Sequence, residues 1–506
     1  MIDANFLWKE PHERNILPET DVEITCGLAT SPASIANIEE VNPADFSRKD
    51  GLTNSNINGK PYCVQTLERN LWILDGRTRT VELEGYTNDG SESAGVNVLL
   101  KSATNATIPG ITIIWGTVST GYATDFTVTA KKAGEVVATI TIEGNKNRTS
   151  LIDLEIESYD SLSIDILGWS LPERRVRMRH LILGQQIVFN KANILSYEHE
   201  QSGHPNSGGI PQNKIRFVLD NRNDFWDPMN ESGAAKYLTE RLSVSVRYGM
   251  RVDTSMMFVN AGQFFLEDWK VSNDGSSVSF SARDCFEFIQ NLPHIHTPSD
   301  GLGTHAFRAL DRAKEAGANI RISSDRAMNQ YQSPVIPPSI TEAETVQMCA
   351  NAACCVIVFR REGAVSIEPT KTPELEYTIP LKFAYSYPEI SLSKPLKAVT
   401  VSYGDGQKYT LEVSDAGETQ TVDNPIVSTA EQAEKIALWV KNTLESRKRV
   451  RGEFRSDPRL DLFDVVTVET KYGVLYPVLL TYIKYTYTGT FRASYEGYVI
   501  TLPEEA

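Results

Sequence analysis

The clearest pattern of apolar and polar positions lies between residues 428 and 449. Apolar side chains recur there at steps of three and four residues, giving one stripe along about five turns of helix: Ala433, Ile436, Ala437, Val440 and Leu444. Ser428 and Glu431 stand in the S-x-x-E order of a capping box, so the helix should begin beside Ser428. Arg447, Lys448 and Arg449 fall in its expected last turn, where cations suit the helix dipole. The pattern predicts a helix over residues 429–447.

After Gly452 the period changes from helical to alternating. Phe454 is expected to open a short strand, and Asp457 with Pro458 marks a turn because proline fixes φ. A further strand should start at Val465, and residues 476–486 and 491–500 read as two more. The segment predicts one helix packed on a small antiparallel meander.

Alternation recurs along most of the chain before this segment. Short runs rich in Val, Ile and Thr, with turns about 10 to 12 residues apart, occupy residues 70–170, a spacing typical of a β-sandwich. A hairpin turn is expected at residues 132–134. Ile215, Phe217 and Leu219 alternate with polar residues, as do the apolar residues between 242 and 248. Antiparallel strands with one buried face are therefore expected there.

A second helix is predicted in the middle of the chain. Thr341 and Glu344 have capping-box spacing, and Val346, Cys349 and Ala350 fall on one helix face. The helix should lead into a hairpin with its turn at residues 361–363, followed by a strand over residues 396–403. This combination predicts packing elements rather than a reaction centre.

Length and charge narrow the class of protein. A chain of 506 residues is too long for one core and predicts roughly three or four domains. The 65 acidic residues exceed the 50 basic ones, a formal net charge of −15 that disfavours a surface for wrapping nucleic acid. No stretch reaches the roughly 18 apolar residues of a membrane span, and the first residues lack the apolar core of a signal peptide. We expect the protein to be made and kept in the cytosol.

The cysteines and catalytic motifs give no sign of enzymatic chemistry. No two cysteines form a C-x-x-C pair, so reduced and buried thiols are expected; the six are Cys26, Cys63, Cys285, Cys349, Cys354 and Cys355. The sequence contains no G-x-S-x-G elbow and no H-E-x-x-H motif. The expectation is a protein that is not an enzyme, with no catalytic residue, cofactor or metal.

Two residue groups invite a metal-binding interpretation. His294 and His296 could clasp zinc, but no third ligand stands nearby, and surface histidine is the commoner case. The loop holding Asp220, Asp224 and Asp227, with Asn221 and Asn223, could offer oxygens to Ca²⁺. The loop lacks EF-hand spacing, so turn-forming Asp and Asn side chains explain it better. Trp72, Trp115 and Trp169 pose a similar choice between sugar-stacking platforms and core aromatics, and core is favoured.

Several motifs in fixed order carry a family resemblance. Residues 423–426 read D-N-P-I, residues 437–440 read A-L-W-V, and an R-x-D-P-R-L-x-x-x-D-V-V-x-V run follows. This succession resembles the C-terminal part of tail hub proteins of long-tailed bacteriophages of Gram-positive hosts. The segments F-V-L-D-N-R, F-W-D-P and F-S-A-R-D resemble the first barrel-like part of the same family. The matching positions taken as structural are Asp220, Asn221, Arg283, Asp284, Asp423, Asn424, Pro425, Trp439, Arg455, Pro458 and Asp464.

Residues 70–183 resemble a different module. Leu74-Asp75-Gly76 near its start and Trp169-Ser170-Leu171-Pro172 with nearby arginines at its end are similar to discoidin-like, or coagulation factor five-eight type C, modules. The matching structural positions are Asp75, Gly76, Trp169, Pro172 and Arg175. Many such modules bind sugars through loops at one end, so the resemblance implies carbohydrate binding, without assigning it to residues.

Together the resemblances imply a mainly β protein with minor α. Its expected divisions are an N-terminal extension (1–69), a discoidin-like sandwich (70–178), a barrel-like hub domain (179–300), an α+β hub domain (301–395) and a C-terminal hub β domain (396–506). The implied function is a homotrimeric hub at the virion tail tip or baseplate. It would contact the distal tail protein ring, the tape measure protein and host cell-surface glycan, with DNA only in transit. The alternatives are a distal tail protein, a carbohydrate-binding adhesion protein of the tail tip and a cell-wall-degrading enzyme.

Overall fold

The chain forms two compact units, of which one is inserted into the other. The inserted unit is Thr25–Val188, and the larger unit comprises Met1–Ile24 and Phe189–Ala506. The computed structural model describes residues 18–30, 35–41, 73–74, 79–82, 94–100, 110–115, 121–153, 160–171, 177–222, 224–230, 234–252, 255–295, 301–318, 320–324, 326–332, 336, 339–361, 363–369 and 377–500. The five-part division expected from the sequence stays a prediction.

Eleven described strands make up or border the inserted unit. They are β1 Thr20–Thr30, β2 Ile35–Val41, β3 Ile73–Leu74, β4 Arg79–Glu82, β5 Ala94–Leu100, β6 Ile111–Trp115, β7 Ala123–Lys132, β8 Glu135–Ile142, β9 Thr149–Ile152, β10 Ser161–Trp169 and β11 Arg177–Phe189. One antiparallel sheet has the order β2-β5-β10-β7-β8. On the other side of the core, β6 pairs with β9 and β11.

The core of the inserted unit is built from inward-facing residues of both sets of strands. Phe126 of β7 and Ile164 of β10 alternate with polar neighbours and pack with Trp115 of β6 in one buried cluster. Trp115 and Trp169 meet edge to face at 6.0 Å, and they are 0% and 3% exposed. The interpretation of these two tryptophans as core residues is confirmed, and Trp72 lies outside the described residues.

The hairpin between β7 and β8 turns at the predicted place. Ala133 and Gly134 both have positive φ, 51° and 87°, as a tight two-residue hairpin turn requires. The turn is further held because Ala133 N–H donates to the Asp160 carboxylate at 2.7 Å.

In the described part of the larger unit lie the remaining strands and three α-helices. They are β12 Ile194–Ser202, β13 Gln212–Asp220, β14 Ser243–Val252, β15 Ser255–Val271, β16 Ser277–Arg283, α1 Leu302–Glu315, β17 Arg321–Ser324, α2 Glu342–Ala352, β18 Cys355–Arg360, β19 Ala364–Pro369, β20 Thr378–Ile379, β21 Glu389–Leu392, β22 Leu396–Tyr403, β23 Gln407–Glu412, β24 Glu418–Asp423, α3 Ala430–Leu444, β25 Lys448–Phe454, β26 Val465–Glu469, β27 Leu475–Tyr487 and β28 Phe491–Val499.

A continuous antiparallel sheet crosses the larger unit. Its first half runs β14-β15-β16-β13-β12, its second half runs β27-β28-β25-β21, and β12 joins the halves by pairing with β27 from Tyr197↔Tyr487 to Ser202↔Tyr482. At the outer edge of the first half, β14 pairs with β1. Strands distant in sequence therefore share one sheet.

The helices form the α+β part of the larger unit. α1 and α2 pack against the three-stranded sheet β17-β19-β18, and α3 packs on β22 and β23. The predicted capping box at α2 is confirmed, since Glu344 N–H donates to Thr341 Oγ1 at 3.2 Å and Thr341 N–H donates to the Glu344 carboxylate at 2.8 Å. The hairpin β18–β19 and the strand β22 also lie where the sequence predicted them.

The ends of α3 differ from the prediction. Thr429, rather than Ser428, is the N-cap and accepts from Gln432 N–H at 3.2 Å. The helix ends at Leu444 instead of residue 447, because Arg447 turns the chain with φ 56° and Lys448 enters β25. Phe454 closes β25 rather than opening a strand. The basic residues from Lys448 onward hydrogen-bond in the sheet with β28 and β21, and this pairing replaces another helical turn.

The fold class predicted from the sequence is confirmed as mainly β with minor α. Among the described residues, no helix has both the length and the apolar character needed to cross a bilayer.

Candidate functional site: a buried polar junction

A group of buried polar side chains surrounds Arg361. Arg361 lies in the turn between β18 and β19, a place where a charged residue is ordinarily solvated, yet its side chain is only 3% exposed. Its Nε donates to Asp461 Oδ1 at 2.9 Å, and its terminal nitrogens donate to the backbone carbonyls of Pro458 and Leu460. The turn of one hairpin is thereby anchored to the loop before β26.

Aromatic rings from both halves of the large sheet surround this guanidinium. Cζ of the Arg361 guanidinium lies 5.8 Å from the ring centre of Tyr248 on β14 and 6.0 Å from the ring centre of Tyr485 on β27. Burial alone would lower the pKa of Arg361, but the facing Asp461 carboxylate raises it above its ordinary value. The site therefore holds a permanent positive charge where three segments of the chain meet.

The loop over residues 457–464 is preshaped to receive the guanidinium. Its own ion pair joins Arg459 to Asp457 at 2.6 Å, with both side chains buried. The Asp464 carboxylate accepts from Asp461 N–H at 2.8 Å, and the Tyr485 hydroxyl lies 2.6 Å from the Leu460 carbonyl. These bonds aim the carbonyl groups at Arg361, so the loop contributes acceptors without exposing them to water.

A chain of neutral hydrogen bonds extends the junction into the first half of the sheet. The two ring nitrogens of His199 lie 2.7 Å from Asn213 Oδ1 and 2.6 Å from the Tyr248 hydroxyl. Because an amide oxygen only accepts, Nε2 carries the proton and donates to Asn213, and Nδ1 accepts from Tyr248. Burial lowers the pKa of His199 to about 4, which agrees with a neutral ring. The Tyr197 hydroxyl is the last member of this hydrogen-bond series and lies 3.2 Å from the Tyr248 hydroxyl.

Asp284 lies at the other end of this hydrogen-bond series, where it caps a short 3-10 helix, Cys285–Phe288. Its two oxygens accept from Asn213 N–H at 2.9 Å and Phe286 N–H at 2.8 Å. Burial raises the pKa of this carboxyl to about 7, and the two backbone donors lower it by less.

The chemistry available at the junction is structural. Its ionisable groups are engaged with each other or with backbone groups, and the side chains of Arg361, Asp461, Asp457 and His199 are all nearly inaccessible to solvent. Within the ranges that the structure describes, no three His, Cys, Asp or Glu side chains are grouped to hold a metal ion. The arrangement can fix the relative positions of chain segments, whereas a substrate could not reach its groups.

Three of the positions inferred from the phage hub resemblance lie in this junction: Asp284, Pro458 and Asp464. Asn424 belongs to a second tie, where its Nδ2 donates to Asn351 Oδ1 at 2.8 Å and Asn351 Nδ2 donates to the Asn206 carbonyl at 2.8 Å. This tie joins α2 and the segment before α3 to the loop before β13. The junction therefore collects only part of the predicted set.

The other inferred positions are spread over the larger unit. Asn221 organises its loop by accepting from Trp226 N–H at 2.8 Å, and Arg283 lies 3.5 Å from Glu287. Trp439 is half-buried against the cluster containing Phe463. Asp220 pairs with Arg222, Asp423 and Pro425 are exposed, and Arg455 lies over the Phe383 ring. In the inserted unit Trp169 is in the core, while Asp75, Gly76, Pro172 and Arg175 lie outside the described residues.

The residues considered as metal ligands have other partners, and His294 is buried, so the surface position that the sequence favoured is wrong for this histidine. His294 Nδ1 lies 2.9 Å from the buried Glu342 carboxylate, which also accepts from Arg312 at 2.6 Å. In the acidic loop, Asp220 accepts a hydrogen bond from Arg222. Asp227 accepts from Met229 N–H at 2.8 Å, which is a local turn contact. His296 and Asn223 lie outside the described residues.

Sequence reasoning missed the residues at the centre of the junction. The burial of Tyr248 follows from the alternation of its strand, and His199 gives a similar signal because it lies two residues after Tyr197, on the same face of β12. No sequence signal marks Arg361, because a charged residue in a hairpin turn is ordinarily exposed.

The fold and the junction thus define a mainly β protein whose buried polar groups serve as internal ties. The chain is similar to solved structures that include two prophage tail proteins. The 43 kDa tail protein of prophage MuSo2 from Shewanella oneidensis is 13% identical over 62% of this chain and 95% of its own, with a TM-score of 0.45. The tail protein from Neisseria meningitidis MC58 is 12% identical over 62% of this chain and 94% of its own, with a TM-score of 0.44.

A third similar structure is prophage tail protein gp18 from Listeria monocytogenes EGD-e, 10% identical over 62% of this chain and 91% of its own, with a TM-score of 0.40. With TM-scores below 0.5, these similarities do not define a family or a function for the chain. No family model matches the sequence. No curated protein matches it either.

Proposed function

We propose that the protein is a structural component of a bacteriophage tail, a homotrimeric hub at the tail tip or baseplate that closes the tail tube. The observation that carries the proposal is the junction at Arg361, which ties a hairpin of the α+β part to both halves of the large sheet. A body that transmits force must keep its parts in fixed relation, and buried, fully paired polar groups do this because separating them leaves charges unpaired.

The sequence resemblance to phage hub proteins gives the proposal its biological setting. Asp284, Pro458 and Asp464, three positions of that resemblance, contribute to the same buried junction. The partners in this setting are the distal tail protein ring above and the tape measure protein within. DNA would pass through the closed ring only during ejection.

The decisive experiment locates the polypeptide in an intact particle. Electron microscopy of virions labelled with antibody against this chain should place it at the tail tip, and native mass spectrometry of the released ring should count three copies. Six copies would assign the protein to the alternative of a distal tail protein. Absence of the chain from purified particles would overturn the proposal.

The net charge of −15 suggests how DNA could pass through the channel without adhering to its wall. If acidic side chains line the channel, like charge keeps DNA from sticking to the wall. A reconstruction of the assembled ring tests this, and a neutral or basic channel surface would contradict it.

A second candidate function is attachment to host glycan through the inserted unit. Trp115 and Trp169 are buried and leave no stacking platform at their positions, so binding there would use polar groups. The outward face of β7 and β8 offers such groups, with Thr127 and Thr141 hydroxyls 3.1 Å apart and Thr129 and Thr139 hydroxyls 3.4 Å apart. A glycan array probed with the folded full chain should show binding, and silence would dismiss this candidate.

The remaining alternative, a cell-wall-degrading enzyme, predicts clearing of host cell wall in a zymogram. Clearing that survives purification and depends on one carboxylate would overturn the structural proposal.

A further inference from the structure

A polar cavity of about 180 Å³ lies within the larger unit. The loop between β12 and β13, the helices α2 and α3, and the strand β24 each contribute to its wall. An engineered cavity of about 150 Å³ holds benzene, so a cavity of this size has room for a small ligand or for one side chain. Thr421 and Asp423, which line the cavity, are exposed, and a ligand can therefore enter from solution.

Most carboxamide groups in the cavity wall have their nitrogens bonded within the protein. Each of four donates to a protein oxygen: Asn206 to Thr443 Oγ1, Gln347 to the Ser207 carbonyl, Asn351 to the Asn206 carbonyl and Asn424 to the Met348 carbonyl. These bonds determine which end of each group is nitrogen and which is oxygen. Asn351 Oδ1 accepts from Asn424, and Asn424 Oδ1 accepts from Ile426 N–H at 3.2 Å. Among the described residues, no group donates to the other two oxygens, Asn206 Oδ1 and Gln347 Oε1.

Asn206 gives the clearest indication of a ligand. The residue is only 2% exposed, yet its Oδ1 has no hydrogen-bond partner in the described part of the chain. The side chain is held in place because Nδ2 donates to Thr443 Oγ1 at 3.1 Å, and the main-chain carbonyl accepts from Asn351 at 2.8 Å. A buried acceptor without a donor is unfavourable. A donor bound in the cavity beside Asn206 would satisfy this oxygen.

The charged group in the cavity wall is Asp423, at the end of β24. No basic side chain in the described ranges pairs with its carboxylate. His204 adds no opposing charge, because its Nδ1 accepts from Asn206 N–H at 3.3 Å, and burial, with a smaller contribution from Arg449, lowers the pKa of the ring. Gln420 is also unengaged and can accept or donate. The free groups of the cavity are therefore mainly acceptors, and one of them is negatively charged.

We propose that this cavity binds a primary alkylammonium group. Such a group has three N–H donors and no acceptor, which suits a site whose free groups are mainly oxygens. Met348, Val422 and Val440 provide an apolar wall for the attached methylene groups. The group can belong to a free small amine or to a lysine side chain of another protein. The inference goes beyond the proposed tail function and does not rest on it.

Probes of similar size separate charge from hydrogen bonding in NMR titrations of the full chain. n-Butylammonium should bind at least about tenfold more tightly than n-butanol, which has no charge, or butyltrimethylammonium, which has no N–H donor. Equal binding of n-butanol would assign the cavity to hydroxyl ligands, and equal binding of butyltrimethylammonium would reduce the attraction to charge alone. Either outcome would overturn the inference. The side-chain amide signals of Asn206 should shift on saturation with n-butylammonium, and unchanged signals would place the ligand elsewhere and also overturn it.

A conservative substitution tests the carboxylate. Asp423→Asn should weaken n-butylammonium binding at least about threefold, because the ligand loses its charged partner at an exposed position. Asp415→Asn is the matched control, since Asp415 is also exposed but does not line the cavity, and it should leave binding unchanged. Both variants should unfold at the wild-type urea concentration, which separates loss of binding from loss of fold. Equal affinities of the wild type and Asp423→Asn would contradict a cation in this cavity.

Two further amines distinguish the sources of the group. Tighter binding of N-acetyl-lysine methylamide than of 1,4-diaminobutane would support a lysine side chain of a partner protein. The reverse order would support a free amine. A wild-type chain that binds none of the amines would overturn the inference and leave the proposed tail function untouched.

Discussion

Arg361 Nε lies 2.9 Å from Asp461 Oδ1, and both side chains are almost completely shielded from water although the two residues are 100 positions apart in the sequence. Removing one member leaves the other charge buried without its counterpart, which is far more destabilising than losing an exposed pair. The cost of breaking an ion pair therefore distinguishes buried pairs, which stabilise the fold, from exposed pairs, which contribute little.

Arg361→Met is expected to destabilise the larger unit by about 3 to 5 kcal/mol, because Asp461 and two backbone carbonyls lose their donor. Urea unfolding followed by tyrosine fluorescence measures the change. The matched control is Arg451→Ala, which removes the exposed pair with Glu389 and should leave the urea midpoint nearly unchanged. The double variant Arg361→Met/Asp461→Leu should be more stable than Arg361→Met alone. If Arg361→Met unfolded at the same urea concentration as the wild type, the Arg361–Asp461 pair would not contribute to stability.

The pH dependence of stability should contain a contribution from Asp284. Its folded pKa, about 7, is above the unfolded value, so its stabilising contribution is complete below about pH 4 and is lost as pH rises through about 7. Asp284→Asn removes the titration and keeps an oxygen acceptor. Relative to wild type, the variant should therefore gain about 2 kcal/mol between pH 5 and pH 8.5. Urea midpoints at both pH values check this, and a constant difference between the proteins would contradict it.

The corrected start of α3 can be tested with two alanine substitutions. Thr429→Ala should cost about 1 kcal/mol because Gln432 N–H loses its acceptor. Ser428→Ala should be nearly neutral, since Ser428 contributes its backbone N–H to the Gln432 side chain at 3.0 Å. Thermal unfolding of the two variants distinguishes the caps, and the reverse order of losses would restore the original assignment.

Cys354 follows α2 with φ 55°, a conformation that glycine adopts without strain. Cys354→Gly should therefore be more stable than Cys354→Ala by about 0.5 to 1 kcal/mol. The alanine variant is the control because it also removes the thiol but keeps the strained backbone with a Cβ. Chemical unfolding of both proteins measures the difference, and a glycine variant no more stable than the alanine variant would argue against strain at this position.

In the inserted unit, two glycines separate backbone strain from steric overlap. Gly121 and Gly134 both have φ 87°, but a Cβ on Gly121 would lie 2.7 Å from Trp169 Nε1, whereas one on Gly134 meets nothing within 4 Å. Gly134→Ala should cost about 1 kcal/mol and Gly121→Ala at least about 1 kcal/mol more. Calorimetry of the full chain should show the larger shift for Gly121→Ala, and equal shifts would mean that the tryptophan moves freely.

The sequence predicted the elements whose causes are local. The box at Thr341 and Glu344 starts α2 in the structure because both partners lie within one turn, and alternation placed Phe217 and Val244 inside. The end of α3 was misplaced because pairing of Lys448 and its neighbours with distant strands overrides the helical pattern. The buried junction around Arg361 could not be predicted from the sequence for the same reason. Arg361, Asp461 and Tyr248 come together through tertiary contacts that local patterns do not encode.

The insertion of one unit into the other sets the order in which the protein can be completed during synthesis. The Tyr487 hydroxyl donates to the Thr20 carbonyl at 3.0 Å, and β12 needs β27 as its neighbour, so the larger unit closes only after nearly the whole polypeptide has left the ribosome. Thr25–Val188, in contrast, is contiguous and can fold early. Until β27 emerges, the edge of β12 that pairs with it stays open, and an unpaired strand edge is prone to pair with the wrong partner.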